Sequence, residues 1–243
     1  MTVLPDIPRL YTALAECLAV LLVTPALAPR FSKAVTVGIT LLWAAVLSAF
    51  LGLTGNVPGG FWIPCMVTAI GFSYLYLWGM WSITLLEAGY HCARAFILAE
   101  LAASVEWQLH CALWPARRPW EPLSLLLLAL VYGALFGGMS YLLHISPQPA
   151  SHLQISGSAA LTAVMLALTA FAVSNLGFLP GSEINMSIFS IRTLVDFSGV
   201  LILTVQHEQL RENALHSELA AMDEVLHLSL IHISEPTRPE PIS

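Results

Sequence analysis

Long apolar runs constrain the fold of this chain more than any other feature. Each run holds about 20 mainly apolar residues, the length that an α-helix needs to cross a bilayer. The runs lie near residues 10–28, 35–54, 60–80, 92–113, 122–143, 158–179 and 186–205, and Pro- or Gly-containing segments separate them. The sequence therefore predicts an all-α, polytopic membrane helix bundle with about seven spans. The stretch 81–91 could be a loop or part of either neighbouring helix, which makes six spans the alternative.

The composition points to the same class and excludes others. Only 10% of the 243 residues are charged, whereas a soluble domain would have about 25%. Acidic residues outnumber basic ones, with a formal net charge of −6, so we expect no nucleic-acid partner. The four cysteines show no metal-ligand spacing, and we predict no metal site.

The segment 206–227, QHEQLRENALHSELAAMDEVLH, follows the last apolar run. Polarity rises abruptly at Gln206, but no helix breaker intervenes. The 4-3-4 spacing of its apolar positions is typical of a two-stranded coiled coil. These positions are Leu215, Leu219, Met222 and Leu226, here called the coil seam. Two heptads are short for a stable coil, so an amphipathic helix on the membrane surface is the alternative. We favour a cytoplasmic coil.

The charges of the loops give only weak information about which end of the bundle faces the cytoplasm. With seven spans and a cytoplasmic C-terminus, Arg30 and Lys33 lie inside, as the positive-inside rule favours. The same arrangement places Arg117 and Arg118 outside, against that rule. The basic counts nearly balance, so the expected cytoplasmic C-terminus depends on the coil segment.

Residues 228–238, LSLIHISEPTR, match the translation of a transposon-type sequencing-library adapter residue for residue. A natural Pro-rich tail is the alternative. We interpret 228–243 as an adapter-derived artefact and exclude it from fold reasoning. We therefore expect the native protein to continue past His227.

Charged and amide side chains lie within the apolar runs, where a central charge costs about 2.5–3.5 kcal/mol or more. They must face protein or water and find partners. These candidate network residues are Glu16 on the first run, Arg94, Glu100, Glu106 and Gln108 on the fourth, and Arg192 and Asp196 on the last.

Helical spacing predicts which of these side chains meet. Arg192 and Asp196 are four residues apart and can pair on one helix face, and so can Glu106 and His110. We expect an interior in which helices 1, 4 and 7 bring together Glu16, Arg94, Glu100, Arg192 and Asp196. Three roles are open: ion pairs that set helix register, a ligand pocket or signal-transmitting network, and an ion or proton pathway. No catalytic motif is present in the chain.

Three blocks resemble a known family. Residues 92–109, CARAFILAELAASVEWQL, are similar to the CxRAFxLAEFxASLEWQL pattern of the membrane sensor of GHKL-type histidine kinases from low-GC Gram-positive bacteria. Residues 191–196, IRTLVD, resemble that family's last span, and 218–222, ELAAM, its coil. The similarity extends over residues 1–227, although only the first two blocks are specific.

The resemblance implies a domain plan and partners. Residues 1–205 would be the transmembrane sensor domain and 206–227 the start of the signalling coil, in a bacterial plasma membrane protein. A downstream kinase domain would use ATP and Mg²⁺, while the sensor itself would need no cofactor. The implied partners are a second copy through the coil, a response regulator, and a peptide or small-molecule ligand. No catalytic residue is transferred, because His207, His216 and His227 do not match the phosphoacceptor motif. The alternative function is a small polytopic transporter or channel.

Overall fold

The computed structural model describes residues 6–55, 57, 61–114, 117–145, 153, 155–175 and 186–234. Within these residues the regular elements are seven α-helices and one short 3₁₀-helix, Thr24–Ala26, and no strand is present. The α-helices are α1 (Arg9–Val23), α2 (Lys33–Leu53), α3 (Trp62–Met80), α4 (Leu85–Leu113), α5 (Pro122–Ile145), α6 (Gly157–Asn175) and α7 (Met186–Ser234). The predicted all-α helix bundle is confirmed.

Six of these helices, all except α4, are long and apolar enough to cross a membrane. Their outer faces carry large apolar side chains, such as Leu41 on α2, which is 67% exposed. Exposed apolar surface on this scale suits contact with lipid rather than water. The chain is therefore a membrane protein.

Helix α4 is the centre of the bundle and packs against α1, α3, α5, α6 and α7. Most of its residues are buried, including Glu100, Glu106 and His110. Its small residues Ala99 and Ala102 are fully buried, and such residues allow neighbouring helices to approach closely. The other helices therefore enclose α4, which explains how a stretch with several charges is tolerated in a membrane protein.

The start of α4 resolves the ambiguous stretch 81–91. Thr84 caps the helix, because its Oγ1 accepts from the Glu87 backbone N–H at 3.3 Å and the Glu87 carboxylate accepts from the Thr84 N–H at 2.7 Å. This reciprocal capping box satisfies two backbone donors at the helix start. Residues 85–91 are thus part of α4 rather than a loop.

Arg30 lies at the end of the bundle where α7 leaves it. Its guanidinium donates to the Trp81 carbonyl at 2.6 Å and to the Ile83 carbonyl at 3.3 Å, which ties it to the start of α4. Near that start, Tyr90 contacts His207 of α7. The first basic loop and the outgoing α7 therefore share one end of the bundle. That this end faces the cytoplasm stays a prediction.

Helix α7 runs without interruption from Met186 to Ser234 and does not break at Gln206. Its length is about 74 Å at 1.5 Å per residue, more than twice the roughly 30 Å of bilayer hydrocarbon. The coil seam lies on its outgoing half, where Leu219 is 62% exposed and Met222 and Leu226 are also exposed. Residues 228–234 of the adapter-like segment continue this helix, and 235–243 lie outside the described residues.

Candidate functional site

The candidate site is the interface between α4 and α7, which run in opposite directions. Residues later in α4 contact residues earlier in α7. Tyr90 contacts His207, and Ser104 contacts Asp196. Gly199 permits the close approach between them, because a Cβ there would lie 3.0 Å from Cγ2 of Ile97. The last apolar helix is therefore fastened to the central helix over most of its buried length.

Halfway along this interface lies a buried ionic group, here called the central cluster: Glu100 and Ser104 of α4, Ser174 of α6, and Arg192 and Asp196 of α7. The Arg192 guanidinium donates from Nη2 to Oε2 of Glu100. Its Nε lies 4.0 Å from Oδ2 of Asp196, one helical turn away. Glu100 is 3% exposed and Asp196 2%. One guanidinium thus joins two carboxylates from two helices.

Two hydroxyl groups complete the cluster. Ser104 donates to Oδ2 of Asp196 at 3.1 Å, and Ser174 donates to Oδ1 at 2.7 Å. Both carboxylate oxygens of Asp196 therefore accept hydrogen bonds, as a buried carboxylate requires. Because the donors come from α4 and α6, Asp196 sets the rotation of α7 against two neighbours at once.

The Arg192–Asp196 pairing predicted from the spacing is present, and the structure adds Glu100 across the interface. Gln108 also joins the two helices. Its Oε1 accepts from Thr193 at 2.9 Å and its Nε2 donates to Ser190 at 2.8 Å. Whether these side chains carry a signal stays a prediction.

Arg94 does not belong to the central cluster, contrary to the single interior expected from the sequence. It is half-buried, and its guanidinium carbon lies over the Tyr90 ring at 5.6 Å from the centroid. It forms no hydrogen bond or ion pair with another described residue. The physical reason is position: Arg94 lies more than one helical turn before Glu100, at the level of Leu203 and Thr204 on α7.

A second polar group surrounds Arg94 where α7 leaves the bundle; we name it the exit cluster: Tyr90, Arg94, His207, Glu208 and Arg211. The Tyr90 hydroxyl and Nδ1 of His207 are 3.3 Å apart. Arg211 is buried and donates to Oε1 of Glu208 at 2.9 Å. The Arg211–Glu208 pair lies within α7, and the Tyr90–His207 contact joins α7 to α4 just before α7 becomes exposed.

Glu16 and Glu106 are buried separately from both clusters. Glu16 is 4% exposed, and its Oε1 has no hydrogen-bond partner among the described residues. Glu106 is fully buried, and neither of its carboxylate oxygens is hydrogen-bonded within the described part of the chain. The predicted Glu106–His110 pairing is wrong, because no hydrogen bond or ion pair joins these two side chains. The His110 ring instead stacks on Trp107 at 4.8 Å, and its Nε2 lies 3.3 Å from the Arg117 carbonyl oxygen.

Sequence reasoning missed several members of these groups. His207 and Arg211 are four residues apart, as are Tyr90 and Arg94, so helical spacing could have identified two facing pairs. Ser174 carried no such signal, because its contact with Asp196 depends on how α6 packs against α7.

Among the described residues, no group of three or more His, Cys, Asp or Glu side chains could hold a metal ion. No protein-family model, curated protein or solved structure matches this chain. The geometry of the α4–α7 interface therefore carries the functional argument.

Proposed function

We propose that residues 1–227 are the membrane sensor and the start of the signalling coil of a bacterial two-component histidine kinase. The supporting observation is that one uninterrupted helix, α7, contributes residues to the central cluster and the exit cluster and also carries the coil seam. The two specific blocks that resemble the family lie on the two helices that this interface joins, residues 92–109 on α4 and residues 191–196 on α7. Kinase activity, ATP and Mg²⁺ would belong to a downstream domain.

The proposed mechanism is a shift or rotation of α7 against α4. A ligand that binds one arrangement of the bundle more tightly moves the equilibrium toward it. Asp196 and Leu219 are separated by about 35 Å of helix, so a rotation at the central cluster turns the coil seam by the same angle. The exit cluster is the second contact that must rearrange, because the Tyr90–His207 contact joins α7 to α4 between these points.

The coil seam supports a dimer. Leu219, Met222 and Leu226 are exposed on a helix whose other faces are mainly polar, and pairing with the same seam of a second copy would bury them. In the proposed receptor, this coil aligns two kinase domains, and a response regulator accepts the phosphoryl group.

The test is a chimera in which residues 1–227 are joined in heptad register to the catalytic region of a characterised histidine kinase. Autophosphorylation in membranes is measured for the parent, for Arg192→Gln, and for Arg117→Gln as a control at an exposed ion pair. We expect Arg192→Gln to change activity and Arg117→Gln to leave it unchanged. A four-residue insertion in the coil, which shifts the heptad register, should also change activity. Equal activity in all four proteins would overturn the proposal.

The second candidate is a transporter or channel. It is favoured by Oε1 of Glu16 and both carboxylate oxygens of Glu106, which are buried and have no hydrogen-bond partner among the described residues. Flux of protons or cations into liposomes that contain the purified chain separates the two. A sensor moves nothing, whereas flux abolished by Glu16→Gln would favour transport.

A further inference from the structure

A lipid-facing cleft separates α3 from α6 on the surface of α4. Its volume is about 340 Å³. Each of the three helices contributes positions that repeat as i, i+3, i+4 and i+7, so the cleft extends for about 10 Å along them. Ile70 and Gly71 come from α3, Cys92 and Phe96 from α4, and Ala167 and Phe171 from α6. A Cβ at Gly71 would meet no atom within 4 Å, so this part of the cleft is open.

A second, much smaller cavity lies behind the floor of the cleft, between α1, α3 and α4. It has room for roughly one water-sized group. Glu16 and Ser73 line it, both are 4% exposed, and Oε1 of Glu16 and Oγ of Ser73 have no hydrogen-bond partner among the described residues. A buried carboxylate oxygen without a donor is costly. A hydrogen-bond donor placed in this cavity would therefore stabilise Oε1 of Glu16.

The cleft and the small cavity share one wall. Ile70, Cys92 and Phe96 line both of them. A head group that reaches the Glu16 carboxylate from the cleft must therefore displace the side chains of Ile70 and Phe96.

We propose that the cleft and the Glu16 cavity together form a binding site for an amphipathic molecule with one aliphatic chain and a hydrogen-bond-donating head group, an amine or a hydroxyl. The chain occupies the cleft, and the head group donates to Glu16. The molecule enters sideways from the bilayer, because the cleft opens on the lipid-facing side of α3 and α6. That this is the ligand site of the sensor rests on the proposed function. That it binds an amphipathic molecule rests on these cavities alone.

The position of the site connects it to the α4–α7 interface. Phe96 lines the cleft on α4, and the next residue, Ile97, is the one that a Cβ at Gly199 of α7 would touch. Phe171, opposite Phe96 at 5.7 Å between ring centroids, lies one turn before Ser174 of the central cluster. An occupant that displaces Phe96 would therefore move backbone next to Ile97, which contacts α7 at Gly199.

The experiment uses the full chain in phosphatidylcholine nanodiscs and a dodecylamine probe that carries a photoactivatable diazirine. Labelled residues are located by mass spectrometry, and excess dodecylamine, dodecanol or dodecane is added as competitor. We expect saturable labelling of the cleft residues. Dodecylamine or dodecanol should compete, and the one that competes more strongly identifies the head group, whereas dodecane should compete weakly.

Two pairs of variants locate the chain and the head group. Gly71→Leu fills the cleft and should abolish saturable labelling, while Gly79→Leu, on the exposed side of the same helix, should not. Glu16→Gln should weaken probe affinity about tenfold through loss of a charge-assisted hydrogen bond. Glu106→Gln, a second buried carboxylate away from the cleft, should leave the affinity unchanged. A melting temperature for each variant checks that it is folded.

Two results would overturn the inference. Unsaturable labelling spread over all outward helix faces would mean that the cleft holds bulk lipid only. Undiminished affinity in Glu16→Gln would mean that the small cavity holds water only. Because binding is measured without a kinase domain, either result leaves the sensor proposal standing. Intact binding without a kinase response in the chimera would overturn the sensor proposal instead.

Discussion

Arg192 of α7 and Glu100 of α4 form an ion pair inside the bundle, where two antiparallel helices meet. The same guanidinium lies beside Asp196, so the central cluster contains two carboxylates and one cation. Its members come from α4, α6 and α7, and the guanidinium and the two serine hydroxyls offset part of the cost of burying the two carboxylates. The expected effect of a substitution therefore depends on which charge it removes.

Arg192→Gln should destabilise the chain more than Glu100→Gln. Loss of the guanidinium leaves two carboxylates together in a low-dielectric interior, whereas loss of the Glu100 charge leaves one carboxylate beside one guanidinium. Removing one partner of a buried pair costs about 3–5 kcal/mol, and we expect Arg192→Gln near this range. The measurement is unfolding in a denaturant titration in mixed micelles.

The control for this comparison is Arg117→Gln, at the exposed pair with Glu121. Exposed pairs contribute about 0–1 kcal/mol, so it should match the parent. Greater destabilisation by Glu100→Gln than by Arg192→Gln would contradict the charge arrangement.

Gly199→Leu should separate α4 from α7. Even a Cβ at this position approaches Ile97 to 3.0 Å, so a larger side chain must push the helices apart. Overpacking of this kind costs about 1–3 kcal/mol. Gly137→Leu on α5 is the matched control, because its Cβ would meet no atom within 4 Å. Melting temperatures of the two variants give the comparison, and equal values would refute the close approach.

Tyr90→Phe should loosen α7 at the exit cluster. The substitution removes the hydroxyl that contacts His207 at 3.3 Å and leaves the ring under Arg94 in place. A hydrogen bond of this type contributes about 1 kcal/mol. Amide hydrogen exchange around residues 206–211 should become faster, while Tyr141→Phe, at an exposed ring, should have no effect. Unchanged protection in Tyr90→Phe would show that the exit cluster does not hold α7.

A cysteine at Leu219 should form a disulfide between two copies in oxidised membranes. Leu219 lies on the coil seam, so the two side chains of a parallel dimer face each other. A cysteine at Glu224, on another face of the same helix, is the control and should react far less. Cysteine-free backgrounds are needed, because four native thiols are present. Equal cross-linking at both positions would argue against a specific coil.

Thr84→Ala tests how the start of α4 is determined. The variant loses the capping bond from the Glu87 N–H, and an N-cap of this kind contributes about 0.5–2 kcal/mol. The stability loss should be absent in Thr84→Ser, which keeps the hydroxyl. If the two variants melt at the same temperature, the capping box is not what begins the helix.

Several features followed from local sequence alone. Apolar length and punctuation predicted the helices, and the Thr84-x-x-Glu87 pattern is the local signature of the start of α4. The four-residue spacing of Arg192 and Asp196 predicted their contact, because the geometry of one helix determines which of its own residues share a face.

The sequence by itself determined that this chain forms apolar helices, that its charged residues need partners inside the bundle, and that polarity rises at Gln206 without a helix breaker. Only the tertiary structure decided that Glu100 pairs with Arg192 and that Ser174 donates to Asp196. It also decided that Arg94 pairs with neither carboxylate and lies over the Tyr90 ring. The physical reason is that helical periodicity sets angles about one axis, whereas the rotation and depth of a neighbouring helix depend on how the five helices that contact α4 pack around it.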